Sequence, residues 1–265
     1  MNQVLAASGE GGGFSPPSIG EFFPAAFAFE GTPFEMNRII LVRLIATAAI
    51  VLLFVLAARR ASLVPGRGQN MAEMALDFVR VNIAEETLGH NARRFLPMLT
   101  TIFFAVFFMN ITGVVPFLNI ASTSLIGMPL VLAAWVYVMY LAVGMRKFGV
   151  GGYLKNNLFP PGLPKPLYGL VTPIEALQVF IFRPATLALR LTANMIAGHL
   201  ILVLCFGATH FFLLEAGGAL KVATLLGIAA GVAFTLFEIL VALLQAYIFT
   251  LLSAVYLNMA VEEEH

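Results

Sequence analysis

The hydrophobic residues of this chain fall into five runs long enough to cross a bilayer, and basic residues gather in the gaps between alternate runs. The first run, about 39–58, has the length that a ~30 Å hydrocarbon core demands of a helix. It carries Arg43 near one end, placed to snorkel toward the interface, and it closes on Arg59-Arg60. Val64-Pro65-Gly66-Arg67-Gly68 then breaks the helix. Residues 69–88 place Met71, Met74, Ala75, Phe78, Val79 and Ile83 at helical spacing, with Glu73, Asp77, Arg80 and Glu85 on the other faces. That segment is too polar to span, so the pattern predicts an amphipathic helix on the cytoplasmic membrane surface; a helix docked on a partner is the alternative.

Arg93-Arg94 opens the second run, about 95–117, in which Asn110 and Thr112 are expected to hydrogen-bond to neighbouring helices. The third run, about 125–145, ends at Arg146-Lys147, and 149–166, with Gly151-Gly152 and four prolines, is predicted as a loop. The last two runs, 171–214 and 219–259, each exceed 40 residues, or ~60 Å of helix. That is about twice the bilayer core, so they must tilt, bend or extend past it. The expected architecture is an all-α polytopic membrane protein. It has about five transmembrane helices and one amphipathic surface helix, and its last two helices form a long tilted antiparallel hairpin laid along a large partner.

Charge supplies the orientation. With 59–94 and 146–170 on the cytoplasmic side, that side holds Arg59, Arg60, Arg67, Arg80, Arg93, Arg94, Arg146, Lys147, Lys155 and Lys165. The other side keeps Arg38 and Lys221 near span ends, a clear positive-inside bias. The N-terminus is therefore expected outside and the C-terminus in the cytoplasm. Residues 1–35 contain Glu10, Glu21, Glu30 and Glu35 but no Lys or Arg, and so lack the basic start of a secretory signal. They read as part of an extracytoplasmic segment, 1–38, ahead of a membrane domain, 39–265, with Phe22, Phe23, Phe27 and Phe29 at the membrane surface. Composition agrees: of 265 residues 60% are hydrophobic and 11% charged, more apolar surface than one soluble core can hide. The single cysteine, Cys205, lies in an apolar run and reads as a small buried hydrophobe.

Against this background the polar residues inside the hairpin stand out. Arg190 lies deep in the fourth run, where a charge costs at least ~2.5–3.5 kcal/mol and calls for a partner or a water-filled cleft. Asn194, four residues on, shares its face; His199, nine residues on, lies on the opposite side. On the fifth run Glu238 and Gln245 are seven apart and near one face. In an antiparallel pair, residues at one depth have a constant sum of residue numbers. Arg190 with Gln245 gives 435 and His199 with Glu238 gives 437, so one register serves both. The inner level is then Arg190, Asn194 and Gln245. The outer level, about 14 Å along the axis, is His199 with Glu238. A histidine–carboxylate pair there is either a proton relay or a hydrogen-bonded lock on the hairpin. Gly227 with Gly231, and Ala193 with Ala197, have the small-residue spacing of close helix packing. Glu175 and Arg183 flank the entry to the fourth helix: Glu175 lines a cytoplasmic exit or faces interfacial water, and Arg183 is placed to snorkel.

The chain resembles subunit a of rotary F-type ATP synthases. The resemblance rests on Leu189-Arg190-Leu-Thr-Ala-Asn194-Met-Ile-Ala-Gly198-His199, Leu244-Gln245-Ala-Tyr247-Ile-Phe249 and Tyr256-Leu-Asn-Met259-Ala, with Val64-Pro-Gly-Arg-Gly-Gln69 and Thr101 through Asn110 in support. It implies a non-catalytic stator in a bacterial plasma membrane, beside a ring of c subunits and peripheral-stalk b subunits, with no cofactor. Two offset half-channels would carry protons to and from ring carboxylates. Arg190 would be the essential arginine between them, Asn194 and Gln245 its polar companions, His199 and Glu238 the outer pair, and Glu175 the inner acid. One feature departs from the family: residues 117–127 lack the aspartate that many members carry there.

Two other classes compete. An intramembrane protease would need a His-Glu-x-x-His pair or a nucleophile placed beside a histidine, and the sequence offers neither. A purely structural anchor explains the hydrophobicity but not charges at matched depths. No Gly-x-x-x-x-Gly-Lys loop is present, so nucleotide chemistry would belong to other subunits.

Overall fold

A computed structural model describes residues 36–59, 66–115, 118, 122–159, 167–214 and 223–261, all of them helix, turn or bend apart from a few isolated positions. The expectations for residues 1–35, Arg60, Lys165 and Lys221 lie outside the described residues.

Helix α1 (Arg38–Arg59) is a largely apolar rod that buries only Ile39, Val42 and Ala46, at three- and four-residue spacing. One stripe therefore meets the bundle, and the rest is bare leucine, isoleucine and valine suited to lipid. Phe54 anchors the stripe edge-on against Phe104, with ring centroids 5.1 Å apart. Arg43 does not snorkel. Its guanidinium donates to the Ser122 carbonyl at 3.0 Å, and Arg38 donates to the Leu118 carbonyl at 2.8 Å, so α1 is pinned to the connection between the second and third spans.

Helix α2 (Arg67–Val79) continues through a π-helical turn (Arg80–Glu85) into the short α3 (Glu86–Leu88), close to the 69–88 read from periodicity. Its apolar stripe is only partly covered: Val79 and Ile83 are buried, whereas Met71 is 72% and Met74 63% exposed. Gly89, with φ of +53°, turns the chain as residues with a Cβ rarely do. After a 3₁₀ turn the chain enters α4 (Ala92–Ile111), shorter than the predicted run of 95–117. Asn110 and Thr112 both bond to the following turn. The Thr123 hydroxyl donates to Asn110 Oδ1 at 2.6 Å, and the Ser122 amide donates to Thr112 Oγ1 at 3.2 Å.

Helix α5 (Gly127–Leu158) runs on through most of the predicted loop, because Gly149 at φ +71° kinks it instead of ending it. The kink folds Tyr153 back against Gly144, where any Cβ would collide with the tyrosine ring.

Helix α6 (Tyr168–Leu177), a π-helical turn (Gln178–Phe182) and α7 (Arg183–Leu214) form one 47-residue helical run across Pro173 and Pro184. The π turn has a readable cause. Pro184 has no N–H to give, and the Arg183 amide reaches back five residues to the Gln178 carbonyl. The Val179 carbonyl thereby loses its usual helical donor and accepts the Tyr140 hydroxyl at 2.9 Å instead. Helix α8 (Ala223–Val261) is the last described element and packs on α4, α5 and α7. Among the described residues, five helical runs are thus long and apolar enough to span a membrane. The core lies between them, built on Ile83, Leu99, Ile102, Val106, Val136, Leu191 and Leu257.

Candidate functional site

Small residues set how α7 and α8 meet. Gly227 faces the Thr209 side chain and Gly231 the Phe206 ring, each so closely that a Cβ would have to displace its neighbour. Together with Gln245 against Arg190 and Glu238 against Gly198, these contacts run antiparallel in the register read from the sequence. The other small-residue pair, Ala193 and Ala197, is exposed and takes no part in this packing.

At the inner level the Gln245 side-chain amide, 3% exposed, donates a 2.9 Å hydrogen bond to the backbone carbonyl of Arg190. It does not engage the guanidinium. The Arg190 side chain is exposed, beside exposed Asn194 on the same face, and it takes part in no ion pair among the described residues. Its surroundings are bare and apolar: Leu189 is 54% exposed, and at the same depth on α8 Leu240, Leu243 and Leu244 are also exposed. A charge at mid-span on an open hydrocarbon face is costly unless something opposite answers it.

At the outer level both expected residues are buried, His199 at 7% and Glu238 at 3% exposure. Neither Glu238 carboxylate oxygen has a hydrogen-bond partner among the described residues. Its space comes from Gly198, beside His199 in the chain: a Cβ there would stand 3.0 Å from Glu238 Oε1. Nine residues separate His199 from Arg190, or about 14 Å of helix. Glu175, half-buried on α6, stands fifteen residues away on the other side of Arg190, or about 22 Å. Polar stations thus lie on both sides of Arg190 at different depths. They span a distance comparable to a membrane of ~30 Å core and ~40–45 Å total thickness.

Two features escaped the sequence reading. Arg183 is 8% exposed and stacks on Tyr256 with 5.5 Å from guanidinium carbon to ring centroid, so it is a buried charge rather than a snorkelling anchor. Its seven-residue spacing from Arg190 was the available signal. The second is the buried polar cluster of Asn110, Thr112, Ser122 and Thr123 under Arg43, at the turn where the family's aspartate is missing. Asn110 Nδ2 and Arg43 Nε are buried there without hydrogen-bond partners among the described residues.

The chain's similarities to known proteins run along most of its length. Residues 40–258 match the family model described as ATP synthase A chain. ATP synthase subunit a of Rhodococcus erythropolis is 49% identical over 95% of this chain and 92% of its own length. The Nocardioides protein of the same name is 36% identical over 98% of both chains, and that of Hyphomonas neptunium 40% identical over 83% and 85%. An all-helical chain with five candidate spans and this match over nearly all of them belongs to the ATP synthase A chain family.

Proposed function

We propose that this chain is the ion-translocating stator subunit of a bacterial F-type ATP synthase, with Arg190 separating two offset half-channels. It has no catalytic chemistry of its own. Its partners are a ring of c subunits against the exposed α7–α8 face and peripheral-stalk b subunits. The N-terminus lies outside, the C-terminus lies in the cytoplasm, α2 rests on the cytoplasmic surface, and α7 and α8 form a tilted hairpin along the ring.

The observation that carries this reading is the exposure of Arg190 at mid-span on an apolar face, with no ion pair among the described residues. A ring carboxylate brought opposite that guanidinium is favoured in its ionised form and releases its proton. Once past Arg190 it is reprotonated from the other half-channel and becomes neutral enough to enter lipid. Glu175 serves the inner path and His199 with Glu238 the outer one, with Asn194 and Gln245 framing the arginine. Because the two paths reach mid-membrane from opposite sides at offset positions and the fixed charge lies between them, a proton crosses only when the ring turns.

The test is ATP-driven acidification of inverted vesicles carrying the assembled complex. Arg190→Ala is expected to abolish acidification with assembly intact. Normal acidification by that variant would overturn the reading.

A further inference from the structure

Two cavities outside the α7–α8 face adjoin at the basic end of the bundle. The larger, about 990 Å³, lies between the Glu86–Asn91 turn, α4, the middle of α5 and the end of α8. Its charged lining is Arg94, Arg146 and Lys147 against Glu86, with His90 and Asn258 beside them. The smaller, about 170 Å³, shares Arg94, Val143 and Arg146 with the first and continues between α4 and α5 along Phe95, Met98, Met139 and Ala142. The pair therefore has a cationic mouth and an apolar cleft.

Two of the three cations at the mouth, Arg94 and Arg146, are not consumed by the described residues. Lys147 donates to the Val261 carbonyl, but Arg94 and Arg146 take part in no ion pair or hydrogen bond among the described residues. Arg94 only stacks on Phe95, at 5.5 Å. Arg94 begins one spanning helix and Arg146 lies past the apolar stretch of the next, so both stand where a bilayer's headgroups begin. The cleft runs from them toward the hydrocarbon. A free anion would use the mouth and leave the cleft empty. A membrane phospholipid with an anionic headgroup fills both, its phosphate between the guanidinia and one acyl chain along the methionines.

We propose that Arg94 and Arg146 hold the phosphate of an anionic phospholipid whose acyl chain lies in the α4–α5 cleft. This requires only that the helices span a bilayer, and it is independent of the ion path.

The test uses the full chain in phosphatidylcholine nanodiscs containing a small fraction of phosphatidylglycerol spin-labelled on its acyl chain. Phosphatidylcholine with the same label is the control. Phosphatidylglycerol is expected to be preferentially immobilised. The preference should fall roughly fivefold for each of Arg94→Ala and Arg146→Ala, the ratio matching about 1 kcal/mol per basic side chain at a membrane surface. Arg94→Lys with Arg146→Lys should keep most of it. Arg59→Ala, at the end of α1 and outside both cavities, should leave it unchanged. Equal immobilisation of the two lipids, or a preference that survives the double alanine change, overturns the proposal. So does displacement by inorganic phosphate, which would mean a free-anion site. A preference that emerges only after removal of residues 262–265 would mean that the chain's own glutamates fill the mouth, and also overturns it.

Discussion

Gln245 is bonded to the backbone of Arg190, not to its charge. The bond ties α8 to α7 at the depth of the guanidinium and leaves that guanidinium facing outward. Gln245 therefore positions Arg190 by fixing the helix that carries it.

This gives Gln245 and Arg190 different mutational signatures. Gln245→Leu removes one interhelical hydrogen bond, worth about 0.6–2 kcal/mol within a membrane. ATP-driven acidification should fall several-fold but persist, because the charge remains in place. If Gln245→Leu abolishes pumping as completely as Arg190→Ala, its amide does more than hold the backbone.

Gly198 and Glu238 share one space. Gly198→Ala brings a methyl group to 3.0 Å from Glu238 Oε1, so the carboxylate must shift, and Gly198→Val should be worse. Passive proton conductance through the membrane sector should drop in that order. Glu238→Asp shortens the side chain by one methylene and should partly restore conductance in the Gly198→Ala background. Absence of any rescue would mean that the alanine acts on helix packing and not on the carboxylate.

Arg43 replaces an expected snorkelling contact with a bond to the Ser122 carbonyl. Arg43→Met should loosen the turn that packs Asn110, Thr112, Ser122 and Thr123, and should lower the temperature at which the assembled complex dissociates. Arg43→Lys keeps one charged donor and should lose less. An unchanged dissociation temperature for Arg43→Met would show that α1 is held by its apolar stripe alone.

Sequence by itself determined what depends on local composition and period. Run length and hydropathy gave five spans, because a bilayer admits only segments whose backbone groups are all bonded internally and apolar runs of about 20 residues meet that as helices. The heptad between Glu238 and Gln245, with Arg190 and His199 opposite, gave the antiparallel register, because the two depths match in only one alignment. Only the tertiary structure decided which neighbours satisfy each polar group. Gly149 kinks a helix where a loop was expected, because a flexible glycine permits a bend without requiring a stop. Arg183 is buried because Tyr256 of α8 offers its ring face, and Arg43 is bound because the Ser122 carbonyl lies within reach. Those partners stand more than seventy residues away in the chain, and no local pattern records them. The exposure of Arg190 belongs to both levels. Its depth was written in the sequence, but that the protein leaves it uncovered emerges only when every other helix has been packed.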